Sequence, residues 1–164
     1  MSAFVIDTFE FSRLQARAEG TLQVADLTRL AGETYDRAGS LHWSLEGGTD
    51  RMGHPQLRLA LAGQINLVCQ RCLAAMPFAI ASKSVLVLAK DENAADVIEQ
   101  VIDEEDVDVI VGDAAFDLLS LIEDEALLAL PLASKHEACP GEVSEALAAA
   151  EKLSPFSMLK NLKQ

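Results

Sequence analysis

Two cysteines separated by two residues, Cys69 and Cys72, and a later pair at the same interval, His136 and Cys139, are the residues best suited by type and spacing to hold a metal. Two thiolates on one turn can enter a tetrahedral shell together, and a distant His/Cys pair could complete it as a Cys3His zinc site once the chain folds. Only the first pair is a double-cysteine pair, and the glycine signals of a zinc knuckle are missing. The spacing by itself therefore favours three unliganded thiols beside an exposed His136 over structural zinc. A redox role for Cys69 and Cys72 comes third, because a thioredoxin-like pair opens a helix after a parallel strand, whereas these two fall between apparent antiparallel strands.

Other ionisable residues carry weaker signals. On a helical wheel Glu125 falls inside an apolar face between Leu118 and Leu121, so its carboxylate needs a donor, for which Arg58 and Arg71 are candidates. A structural pair or cap outranks a partner-binding anion there, and both outrank general acid/base catalysis, because no second carboxylate shares a cleft in the pattern. His42 and His54 read as solvated or turn residues. Arg51, Arg58 and Arg71, with Trp43, could contact RNA, although core packing is the stronger reading of Trp43. The chain has no phosphate-cradling glycine-lysine loop, no HExxH and no GxSxG. No nucleotide cofactor is expected, and no catalytic residue is assigned.

The elements that must position these residues follow from periodicity. The start, AFVIDTFEF, suggests a strand and then a helical turn, and Leu27, Leu30 and Ala31 allow a short helix. In SLHWSLE, Leu41, Trp43 and Leu45 alternate with polar residues, as a half-buried strand requires. Leu57, Leu59 and Leu61 continue the same period, with Gly63 available to bend the strand or allow a bulge before Ile65 and Leu67. Beyond CQRC, the run AIASKSVLVLAK completes a long antiparallel hairpin with Cys69 and Cys72 at its turn. A helix is expected through AFDLLSLIEDEALLAL, capped by Asp113 and stopped by Pro131. Shorter helices are expected in SEALAAAEKL and after Ser154-Pro155. The fold class is α+β: a curved, mainly antiparallel sheet with a long hairpin, packed against a helix of the C-terminal half, plus short terminal helices. Residues 1–164 make one domain, with an acidic loop or edge region at about 91–113 holding a strand at Val107–Val111, and a peripheral helical tail at about 143–164.

Charge narrows the classes of partner. The net charge is -13, yet Asp91 to Glu125 hold 14 acids and no base. Such a field repels nucleic acid locally and attracts a basic protein. The first residues lack the basic region of a secretory signal, and no apolar run approaches the roughly 20 residues of a spanning helix. Three cysteines in this arrangement resemble a ligand series more than a secreted disulfide framework. A cytoplasmic setting without membrane contact is expected.

VCQRC at Val68–Cys72, IEDEALLALP at Ile122–Pro131, the following KHEAC and the terminal SPFSMLKNLK together resemble the YceD-like large ribosomal RNA accumulation family. Members carry a CxRC turn, an E-D-E-(apolar)-LALP helix and an N/S-P-F-x-x-L tail. The resemblance covers roughly the C-terminal 60% of the chain, with the N-terminal part compatible in length and strand content. It maps onto Cys69, Arg71 and Cys72; onto Glu123, Asp124, Glu125, Leu128, Ala129, Leu130 and Pro131; and onto Pro155, Phe156 and Leu159. Some relatives have a fuller cysteine series after LALP. Here His136 stands where the first of these would be, Cys139 lies near the next, and a later CPxCG-like portion is absent.

The resemblance implies a noncatalytic factor in synthesis, processing or stability of large-subunit (23S) ribosomal RNA during ribosome biogenesis. Combined with the acidic charge, it suggests a ribosomal protein or assembly factor as partner, engaged through Glu123, Asp124, Glu125, Pro155, Phe156 and Leu159. Direct contact with the ribosomal RNA is the alternative, and a nuclease or thiol-based enzyme ranks below it.

Overall fold

The computed structural model describes residues 4–102 and 107–139. Its elements in chain order are β1 (Val5–Ile6), α1 (Thr8–Arg13), β2 (Arg17–Gln23), a 3-10 turn (Val24–Asp26), α2 (Thr28–Glu33), β3 (Thr34–Thr49), β4 (Pro55–Val68), β5 (Ala75–Ala89), α3 (Glu92–Glu99), β6 (Val107–Val111), β7 (Phe116–Asp117) and α4 (Leu118–Leu128). Five strands form one sheet in the order β2-β3-β4-β5-β6, and β1 pairs with β7 in a separate two-stranded ribbon.

The alternation read from the sequence sets the faces. Leu41, Trp43 and Leu45 of β3 lie opposite Gly63, Leu61 and Leu59 of β4, which in turn oppose Ile80, Ser82 and Ser84 of β5. The large apolar members of this set are buried on one face, with Leu118, Ile122 and Ala126 of α4 and Leu27 and Leu30 packed over them. The long hairpin and its covering helix are as the periodicity predicts.

The curved sheet is not, although β2 to β5 pair antiparallel as expected. The sheet is open and mixed: β2 and β6 are both edges, and β6 runs parallel to β5. A parallel neighbour needs a crossover, and α3 supplies it within the segment expected to be an acidic loop. The acidic stretch hid this helix, although Asp91 caps it through the Ala94 N–H and Ala95 and Ile98 share its inner side.

Gly63 does not bend or bulge β4 either, since pairing passes through it in register on both sides. A Cβ at Gly63 would lie 2.3 Å from the Ser40 carbonyl oxygen, so glycine is there for close strand approach. The irregularity lies instead on β3, between Thr34 and Gly39, where Gly39 has φ +117°.

The principal helix is shorter than expected, and Asp117 caps it, accepting from the Leu119 and Ser120 N–H groups at 3.0 and 3.2 Å. Asp113 instead receives the Ala115 N–H. Among the described residues no helix is long and apolar enough to cross a membrane. The expected helices of the tail, including Pro155, Phe156 and Leu159, lie outside the described residues.

Candidate metal centre

The turn between β4 and β5 is closed by backbone bonds, Cys69 N–H to Ala74 O at 3.0 Å and Leu73 N–H to Cys69 O at 2.8 Å. That closure turns both thiols of the CxRC unit to one side. After α4, Pro131 forbids further helix, and the chain returns as an irregular strap whose Ser134 carbonyl accepts the Gln70 N–H at 2.8 Å. This bond brings His136 and Cys139 against the hairpin tip.

The ligand atoms of Cys69, Cys72, His136 and Cys139 all lie within 4.8 Å of one another. Cys69 and Cys139 are 3.9 Å apart between sulfurs, and the Cys72 sulfur is 3.4 Å from His136 Nδ1. His136 Nε2 stands 3.1 Å from the Ala75 carbonyl. That contact fixes the ring with its Nδ1 toward the thiols, as a donor to a backbone carbonyl does for a metal-bound histidine. Three thiols and one imidazole at this spacing fit a tetrahedral structural zinc, which would join hairpin and strap by its bonds to all four residues. The separate, unliganded thiols favoured by spacing alone give way to this cluster. Sequence cannot show that the strap folds back.

The cluster favours charge on one of its sulfurs, that of Cys69. Burial pushes the Cys69 thiol up, but backbone N–H groups of His136, Cys72 and Arg71 and the Cys72 side chain outweigh it and lower its pKa from 9.0 to about 5. Cys72 moves the other way: the Ala74 N–H lowers it, but burial and the sulfurs of Cys69 and Cys139 carry the net shift upward. A bound cation removes that mutual repulsion.

Arg71 belongs to this centre. Its Nε donates to the Cys139 sulfur at 2.9 Å and a terminal nitrogen to the His136 carbonyl at 3.2 Å. Arg58 lies at the far end of β4, roughly 33 Å away at about 3.3 Å per strand residue. With Arg51 it lines a different cavity, on the outer face of the sheet. The three arginines named for RNA contact therefore do not form one patch, and Trp43 is buried against Phe4, with ring centroids 6.1 Å apart.

The acidic triplet of α4 is engaged within the chain. Glu123 accepts the Arg29 and Leu30 N–H groups at 2.7 and 3.1 Å through one oxygen and the Arg29 Nε at 3.0 Å through the other. Arg29 also pairs with Asp124. Helix α2 has no capping side chain of its own, so Glu123 caps it from another helix. Burial pushes the Glu123 carboxyl up, but these donors outweigh it and hold it below its ordinary value. Glu125 is buried, and the hydroxyl of Ser82 donates to it at 3.5 Å. Neither Arg58 nor Arg71 is its partner. No spacing rule would have revealed Glu123 as a cap for a helix 94 residues away.

Residues 57–163 match the family model for the large ribosomal RNA subunit accumulation protein YceD. The chain belongs to the YceD family. The matched region starts in β4 and so contains the CxRC turn, α4 and the strap, while β2 and β3 extend the sheet ahead of it. No curated protein and no solved structure matches the chain significantly. As a YceD-family member it serves large-subunit ribosomal RNA accumulation, a noncatalytic role in ribosome biogenesis. The metal centre accordingly reads as a structural joint.

Proposed function

We propose that the chain supports large-subunit ribosomal RNA by holding a basic protein, a ribosomal protein or assembly factor, on its acidic surface in the cytoplasm. One observation carries this reading. Glu92, Asp96, Glu99 and Asp108 are exposed, and none of them has an ion-pair partner among the described residues. Within the acidic stretch, the chain's own arginine takes up Glu123 and Asp124. An uncompensated negative field of this kind draws a basic protein and repels RNA phosphates. The tail residues Pro155, Phe156 and Leu159 supply an apolar anchor in this reading.

Cross-linking mass spectrometry in cells assembling ribosomes should place lysines of a large-subunit protein or assembly factor beside residues 91–113. A pull-down with wild-type chain and with Phe156→Ala/Leu159→Ala, at low and moderate salt, separates docking from bulk attraction. Cross-links to ribosomal RNA at Arg51 and Arg58, with no protein partner at the acidic surface, would overturn the reading.

A further inference from the structure

The two edges of the five-stranded sheet differ in what they offer a further strand. On β2 the outer-face row is Arg17, Glu19, Thr21 and Gln23, all exposed, with Arg17 paired to Glu46 of β3. Charges of this kind blunt an edge against further pairing. The other edge, β6, reads VDVIV, and its four apolar residues are only partly buried. Among the described residues no strand lies on its outer side, and no backbone hydrogen bond from outside the sheet reaches Val107–Val111. Alternate N–H and C=O groups of an edge strand point away from its one neighbour. Strand β6 therefore presents a row of unpaired donors and acceptors, roughly 16 Å long at about 3.3 Å per residue.

Register determines which side chains an added strand would meet. Val107 and Val109 neighbour Val85 and Val87 on the outer face, whereas Asp108 and Ile110 neighbour the core residues Leu86 and Leu88. Asp108 thus stands on the core-side face of the edge, yet it is exposed and has no ion-pair partner among the described residues. A carboxylate in that position disfavours a strand that sets an acid opposite it and favours one that sets a base there. A second copy of β6 is disfavoured, because Asp91 to Glu125 hold no base and would bring only carboxylates to the pairing. We propose that β6 is completed by an extended basic segment of the protein partner, which adds a strand with a lysine or arginine opposite Asp108 and an apolar residue opposite Ile110. The proposal rests on the basic-partner reading above and adds where that partner docks and in what form. RNA is the weaker occupant, because a sugar-phosphate backbone has no row of N–H groups to complete a ladder and Asp108 would repel its phosphates.

The full chain is titrated with a short labelled peptide of alternating lysine and valine, and with the same peptide methylated at its backbone nitrogens, which keeps the charge and removes the donors. Binding is read by fluorescence anisotropy at low and moderate salt, and hydrogen exchange is followed amide by amide. The unmethylated peptide should bind about tenfold more tightly. Its addition should protect the outward amide groups of β6 and leave those of β2 unchanged. Asp108→Asn should weaken binding about two- to fivefold, the range of a cross-strand charge pair. Glu19→Gln, an equal loss of charge on the opposite edge, should leave the affinity near wild type. Both carboxylates are exposed, so the melting temperatures should also stay near wild type.

Equal binding of the two peptides, binding without protection in Val107–Val111, or an equal effect of the two carboxylate changes would overturn strand addition while leaving a basic partner in place. Failure of both peptides at low salt would overturn both readings. Protection that rises with chain concentration alone would put a second copy on the edge, and protection by a single-stranded RNA oligonucleotide would put RNA there; either result would overturn the basic protein segment as occupant.

Discussion

The Nε of Arg71 donates to the sulfur of Cys139 at 2.9 Å, so the arginine inside the CxRC turn reaches a cysteine 68 residues later. Three thiolates, one imidazole and a zinc ion would leave one net negative charge, and the guanidinium beside Cys139 offsets it. Outer-shell partners of this kind typically change metal affinity about 10–100-fold when removed. Arg71→Ala should lower zinc affinity by about that factor in competition with a chromophoric chelator. Arg71→Lys should recover only part of the loss, because lysine cannot span the sulfur and the His136 carbonyl with a planar fork.

Metal analysis of purified protein should give one zinc per chain, and Cys139→Ser or His136→Ala should lower the occupancy. The strap meets the hairpin through the Gln70 N–H to Ser134 bond besides the ligands. Chelation should therefore accelerate hydrogen exchange at Gln70 first, leaving the β3–β4 ladder protected. Unchanged exchange at Gln70 after metal removal would refute a structural joint.

Glu123→Ala removes the only side-chain cap that α2 receives among the described residues. Losing a cap costs about 0.5–2 kcal/mol, so urea unfolding should show a loss near the upper end, about 2 kcal/mol. Asp124→Asn should cost less, because that carboxylate is exposed and leaves no backbone donor unpaired.

Acid should expose the same cap. The folded Glu123 carboxyl is held below its ordinary 4.5, so its contribution is complete above that value and disappears as pH falls through the lower, folded one. Asp50, buried in part but receiving His54 and two backbone N–H groups, is also held below its ordinary 3.8 and adds in the same sense. The urea midpoint should decline on acidification below about pH 4.5, and Glu123→Gln should decline less over the same window.

Leu73 has φ +60° in the hairpin turn and is 71% exposed. A left-handed backbone is unfavourable for a side chain with a Cβ, and this side chain buries little in return. Leu73→Gly should raise stability by about 0.5–1 kcal/mol, after the greater freedom of glycine in the unfolded chain is allowed for. A lower melting temperature would indicate that Leu73 packs more than its exposure implies.

The sequence by itself determined the local order of this protein. Alternation in Leu41–Leu45 and Leu57–Leu61 fixed which face each strand buries, because side-chain direction follows from the two-residue period. The CxRC turn, the apolar helix ending before Pro131 and the family membership were legible for the same reason: each is written within a short stretch. Only the tertiary structure decided what meets across long separations. It folded the strap onto the hairpin to unite Cys69, Cys72, His136 and Cys139, gave Glu123 to α2 and Arg71 to Cys139, and set β6 parallel through α3. Those pairings depend on where whole elements pack, and periodicity carries no information about a partner tens of residues away.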